Sequence, residues 1–182
     1  MQIYDTKVNH LTNPLGFQMK RMVFSWKVKN AKGKFQISAR ILVSADENMQ
    51  DILFDSGYDP EADSLAYPVS LTLMPCTRYY WTVSVKSDQD EIAVSEVQWF
   101  ETAKMQEEWT GKWISCDNSE HRHPYFEKEI HPLKKVASAR LYVCGLGLYE
   151  AYYQTEDKKT EVRIGEEYLT PYSNDYNEWV QY

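Results

Sequence analysis

Apolar and polar positions alternate with a period of two along most of the first hundred residues. Met22, Phe24, Trp26 and Val28 alternate with Val23, Ser25, Lys27 and Lys29. Phe35, Ile37, Ala39, Ile41 and Val43 form a second series up to Ser44, Tyr67, Val69, Leu71 and Leu73 a third, and Tyr79, Trp81, Val83 and Val85 a fourth. Successive side chains of a strand point to opposite faces, so each series predicts a strand with one buried face. Residues 52–57 predict a short strand closed by Gly57, and Val97 and Trp99 lead a last strand ending at Phe100-Glu101-Thr102. Residues 30–33, 46–51, 59–63 and 87–90 supply the turns. The first two series, joined by 30–33, read as a hairpin. Residues 1–21 read as irregular, with a turn at Asn13-Pro14-Leu15-Gly16. No segment carries a helical stripe. About seven strands at this spacing predict an all-β sandwich.

Residues 104–112 are charged and polar, a linker between a sandwich at 1–103 and a second β-domain at 113–182. Strands are expected at 125–130, 137–144, 148–153 and 161–164, with a charged turn at 155–160. So few strands leave unpaired edges. The expectation is therefore a jelly-roll-like domain that is cut short or completed from outside this sequence. Its most apolar run is Ala139 to Glu150, where Gly145 and Gly147 interrupt strand periodicity as a bend or bulge.

Composition narrows the classes. Aromatics make up 14% of the 182 residues, with 14 Tyr and 6 Trp, which suits a β core and equally suits sugar-binding or interface surfaces. The net charge of −7 with scattered basic residues excludes a nucleic-acid partner, and no run is long enough to span a membrane. The polar start lacks the pattern of a signal peptide, so a cytoplasmic location is expected. Cys76, Cys116 and Cys144 are few and far apart, and read as buried thiols without a disulfide framework.

Candidate chemistry is sparse. Gly145-x-Gly147 lacks the third glycine and the following helix of a dinucleotide loop; Glu150 stands there instead. His121 and His123 flank Arg122 but fall short of a metal's ligand number, so no metal or other cofactor is expected. Glu107-Glu108, Glu166-Glu167, Asp175 and Glu178 offer carboxylates, and adjacent residues of an extended chain face opposite ways. No nucleophile with a partner base is evident, so no catalytic residue is assigned. The tail from Tyr168 to Trp179 mixes aromatic and polar residues. Tyr172, Asn174, Asp175, Tyr176 and Trp179 could stack on a sugar ring and bond its hydroxyls. The alternative is a loop whose aromatics pack within the domain.

Two resemblances organise these pieces. Leu73-x-Pro75-x-Thr77-x-Tyr79, with Phe24-x-Trp26 and Trp99-Phe100-x-Thr102, resembles the tyrosine-corner frame of fibronectin type III domains. A Tyr at a strand start turns its hydroxyl back to an upstream backbone group. Asn13-Pro14-Leu15-Gly16-Phe17, Trp109-x-Gly111-x-Trp113-Ile114, Ala139-Arg140-Leu141-Tyr142-Val143-x-Gly145-Leu146-Gly147-Leu148-Tyr149-Glu150 and Tyr168-Leu169-x-Pro171 resemble the N-terminal region of bacterial α-L-rhamnosidases of glycoside hydrolase family 78. The resemblance implies a fibronectin-like domain, a second β-domain that helps recognise a rhamnosyl glycoside, and an (α/α)₆ barrel with the catalytic carboxylates further along. Here residues 154–165 are longer and more charged than the family's Asn-Gly turn. Nothing resembles the barrel, so its catalytic residues have no positions to occupy. The resemblance thus implies a non-catalytic fragment that scaffolds a missing barrel and contacts carbohydrate. The rival expectation is an interaction module completed by a partner's strand.

Overall fold

The computed structural model describes residues 1–116, 124–137, 139–143, 149–154 and 161–167. The chain divides between Glu108 and Trp109 into two compact units. The first unit contains β1 (Gln2–Val8), β2 (Leu15–Phe17), β3 (Met22–Lys29), β4 (Gln36–Ser44), β5 (Ile52–Asp55), β6 (Tyr67–Val69), β7 (Arg78–Ser87), β8 (Ile92–Val94) and β9 (Gln98–Thr102). One sheet has three strands in the order β1-β3-β6. The other has six, in the order β2-β9-β7-β4-β5, with β8 also paired to β7. All neighbours are antiparallel except β2 and β9, which run parallel.

The inner faces of both sheets meet in one core. Phe24 of β3 sets its ring edge-on to Trp81 of β7 at 4.6 Å and reaches Phe100 of β9 at 6.3 Å. Tyr79 stacks on Phe100 at 5.3 Å. Ile41, Val43, Val83 and Val85 fill the space beside them, all buried. Each such side chain contributes roughly 1.5–3 kcal/mol through removal from water, which is what holds the sheets face to face. Trp26 is buried yet polar at one end, and its Nε1 donates to Gln36 Oε1 at 3.0 Å. The all-β sandwich read from the alternation is the fold observed.

Several local expectations fail for identifiable reasons. The first 21 residues are not irregular. β1 pairs with β3, and the chain then crosses to place β2 beside β9. Asn9 makes the crossing possible: its backbone N–H donates to Val23 O at 2.8 Å, its Oδ1 accepts from Val23 N–H at 2.9 Å, and its Nδ2 donates to Arg21 O at 2.8 Å. Nor do the strands at 22–29 and 36–44 form a hairpin, since β3 and β4 lie in different sheets. The link between them is fastened instead to the turn after β7. Asp88 Oδ1 accepts from Lys34 N–H and Phe35 N–H, and Glu91 Oε2 from Lys32 N–H and Gly33 N–H. A Cβ at Gly33 would lie 2.3 Å from Asp88 Oδ1, so this fastening requires glycine. Phe35 and Ile37, expected inside, are 70% and 46% exposed, because the β4–β7 register shifts between Gln36 and Ser38.

In the second unit β10 (Tyr149–Gln154) and β11 (Glu161–Glu167) form an antiparallel pair, with a shift between Ala151 and Tyr152. The strands expected at 125–130 and 137–144 are not observed: none of their described residues is in a strand, and Cys144 lies outside the described residues. Their apolar residues are open to solvent, Tyr125 by 76% and Ile130 by 77%. Alternation marks a face that can be buried, whereas a strand also needs a neighbour to accept its ladder bonds. Cys76 and Cys116, expected as buried thiols, are both exposed. Among the described residues no helix is long and apolar enough to cross a membrane.

Candidate functional site

The corner where β6 leaves for β7 is built as the resemblance of residues 73–79 to a tyrosine corner implied. Tyr79 Oη accepts the Met74 N–H at 2.8 Å. Thr102 supports it from β9: its buried Oγ1 donates to Met74 O at 2.7 Å and accepts from Thr77 N–H at 2.9 Å. This corner is a structural joint, with the Tyr79 and Thr102 hydroxyls directed at backbone.

Beside the entry to the three-stranded sheet lies a cleft of about 390 Å3. Met19, Met22 and Val69 floor it, and Lys20, Arg21 and Ser70 stand on its rim. The pairing of Met22 with Val69 brings its two walls together. The lining holds no carboxylate, histidine or cysteine, and its charged groups are Lys20 and Arg21.

Several charged groups elsewhere are held by ion pairs or hydrogen bonds. Arg40 grips Asp55 with two bonds, Nε to Oδ1 at 2.7 Å and Nη2 to Oδ2 at 2.5 Å. The Arg40 bond holds the Asp55 carboxyl down at about 2. Asp5 lies between Lys27 at 2.7 Å and Lys7 at 3.0 Å, and the Lys27 bond lowers its pKa. Asp46 is lowered by N–H bonds, first from Asp51, and Glu91 likewise, first from Gly33. A general acid for glycoside cleavage needs a carboxyl raised toward neutrality. These four are displaced the other way. Arg78 bonds Glu101 at 3.0 Å while its guanidinium covers the Trp99 ring at 4.0 Å.

In the second unit Tyr152 and Tyr153 are exposed on β10, and Tyr152 Oη donates to Glu150 Oε2 at 2.5 Å. Tyr172, Asn174, Asp175, Tyr176 and Trp179 lie outside the described residues, as do Gly145, Gly147, His121 and His123. Glu107 is held by Lys104 at 3.6 Å, and His131 pairs with Glu129 at 3.5 Å in open solvent. Among the described residues no cluster of His, Cys, Asp and Glu could hold a metal ion. The cleft itself escaped sequence reasoning. Its walls come from segments far apart in the chain, and only the β3–β6 register joins them.

Residues 3–106 match the model of the Rha78A-like, N-terminal immunoglobulin domain, and residues 134–182 that of the alpha-L-rhamnosidase N-terminal domain. An alpha-L-rhamnosidase of Formosa agariphila is 29% identical over 96% of this chain and 21% of its own length. One from Streptomyces avermitilis is 31% identical over 64% of this chain and 12% of its own. The crystal structure of a Streptomyces avermitilis alpha-L-rhamnosidase complexed with L-rhamnose superposes with a TM-score of 0.58 at 28% identity, over 63% of this chain and 12% of that one. The alpha-L-rhamnosidase from Dictyoglumus thermophilum superposes at 0.56 with 30% identity, over 63% of this chain and 14% of that one. The chain therefore spans about a fifth or less of the relatives it matches.

Proposed function

Since the chain belongs to the family of the Rha78A-like N-terminal immunoglobulin domain, we propose that it serves as the non-catalytic N-terminal part of an α-L-rhamnosidase that removes terminal α-L-rhamnose from glycosides. One observation carries this reading. The two family matches follow each other along the chain, at 3–106 and 134–182, while 96% of the chain aligns with only 21% of an α-L-rhamnosidase. The lowered carboxyls of Asp5, Asp46, Asp55 and Glu91 are in keeping with it.

In this reading the first unit is a rigid support for a catalytic domain supplied by further sequence. The tail residues Tyr172, Asn174, Asp175, Tyr176 and Trp179 contact the rhamnosyl glycoside by ring stacking and hydroxyl bonding. Calorimetric titration of the chain with L-rhamnose tests the contact. The expected result is saturable heat at millimolar sugar, with affinity reduced at least about tenfold, or 1.4 kcal/mol, in Trp179→Ala. Absence of heat from the unaltered chain would leave the supporting role alone.

A further inference from the structure

The outer face of the three-stranded sheet is cationic on an acidic protein. Residues of β3 that do not enter the core point outward, and these include Lys27 and Lys29; Arg21, just before the strand, continues the series. On β1 the outward positions include Tyr4, paired with Lys27, and Lys7, paired with Ser25. Asp5, in the irregular step of β1, is the acid among them, bonded to both Lys7 and Lys27. Lys7, Arg21, Lys27 and Lys29 with Asp5 sum to +3, on a chain whose net charge is −7. The remaining acids of the first unit fall on β5, β9 and the loops.

The face has the wrong make-up for the core of a protein interface. Such cores lose charged residues, lysine above all, and gain apolar area. Here the apolar contribution is small: Tyr4, 39% exposed with Lys29 5.0 Å over its ring, together with Val23 and Pro68. Spaced cations on a flat strand surface suit a different occupant, an extended polymer with a regular row of anions. Lys27 and Lys29 project about 7 Å apart along the strand. The exposed Tyr4 adds an edge against which a sugar ring can lie.

We propose that the outer face of the β1-β3-β6 sheet is a docking surface for a carboxylate-bearing polysaccharide, gripped by Arg21, Lys27 and Lys29. Its function would be to hold the protein on an acidic glycan. The choice of a polysaccharide over another polyanion rests on the rhamnosidase reading; the cationic face does not.

The test is retention of the 182-residue chain on immobilised polygalacturonate, with neutral dextran and single-stranded DNA as parallel matrices. Because the whole chain is anionic, retention requires a local cationic face. The expected result is retention on polygalacturonate at about 0.01 M salt, lost toward 0.15 M as the screening length falls from about 30 to 8 Å. Arg21→Glu/Lys29→Glu should abolish it while leaving the Asp5 pairs and the melting temperature unchanged. Lys32→Glu/Lys34→Glu makes the same change in net charge in the β3–β4 link and should keep it. No retention at low salt, or equal loss in both variants, would overturn the proposal. Stronger retention on DNA would replace its occupant. L-rhamnose titration fails or succeeds independently of these outcomes, so the two readings are separable.

Discussion

Tyr79 and Thr102 show how much of the sandwich rests on single polar atoms. The Tyr79 hydroxyl satisfies the Met74 N–H, and Thr102 Oγ1 serves both Met74 O and Thr77 N–H without access to water. Replacing the tyrosine by phenylalanine leaves the stacking on Phe100 but removes the acceptor. Tyr79→Phe should therefore lower stability by about 1 kcal/mol, and Thr102→Val by about 1–3 kcal/mol, in urea titrations. Asp55 provides the pH signature. Its folded pKa of about 2 lies below the ordinary carboxylate value, so its contribution is complete above about pH 4 and is lost as pH falls toward 2. The pair is well exposed, with the Asp55 side chain at 40%, so solvent screening limits the effect to about 0–1 kcal/mol. The stability difference between the protein and Asp55→Asn should be flat from pH 5 to 7 and shrink below about pH 4. A difference that instead grew on acidification would contradict the assigned ion pair. At this scale the sequence was readable where a residue's neighbours are local. Tyr79 and Pro75 sit in one short segment. The partners of Gly33, which lie in the turn after β7, do not announce themselves.

Among the elements, β3, β4 and β7 carry the core, and their alternation was plain because one face of each is buried. Trp81 on β7 meets Phe24 across the sandwich, so Trp81→Ala should cost about 3–5 kcal/mol. Ile92→Ala on the exposed outer side of β8 should stay within about 0.5 kcal/mol. Comparable losses at both positions in thermal melts would refute this placement of the core. β1 escaped the alternation test for a physical reason. Its buried residues are Ile3, Thr6 and Val8, a spacing of three and then two, because the register shifts after Tyr4 and Asp5 takes a left-handed φ of 48°. β2 and β8 have three residues each, too few to show a period. The mistaken hairpin has a related origin: alternation tells which side of a strand is buried but not which strand lies beside it. The cationic face was half legible, since Lys27 and Lys29 stood out as polar partners in the series. Tyr4 and Lys7 could join them only once β1 was known to pair with β3.

At the scale of the molecule, the buried apolar residues among those described lie between Ile3 and Ala103, within the first unit. Described apolar residues of the second unit, Trp113, Ile130 and Leu133 among them, are exposed. That distribution agrees with a first unit that is a complete sandwich by itself. The tail residues proposed for sugar contact owe their selection to composition and family resemblance, and composition carries no distances. The central claim is that the chain supports rhamnoside hydrolysis without performing it. Release of the aryl alcohol from an aryl α-L-rhamnoside, measured for the purified 182-residue chain and for the product of the native reading frame, tests it most directly. The 182-residue chain should show no turnover above background, and a longer product carrying the catalytic domain should turn the rhamnoside over. Hydrolysis by the 182-residue chain alone, or a native reading frame whose product contains no catalytic domain, would contradict it.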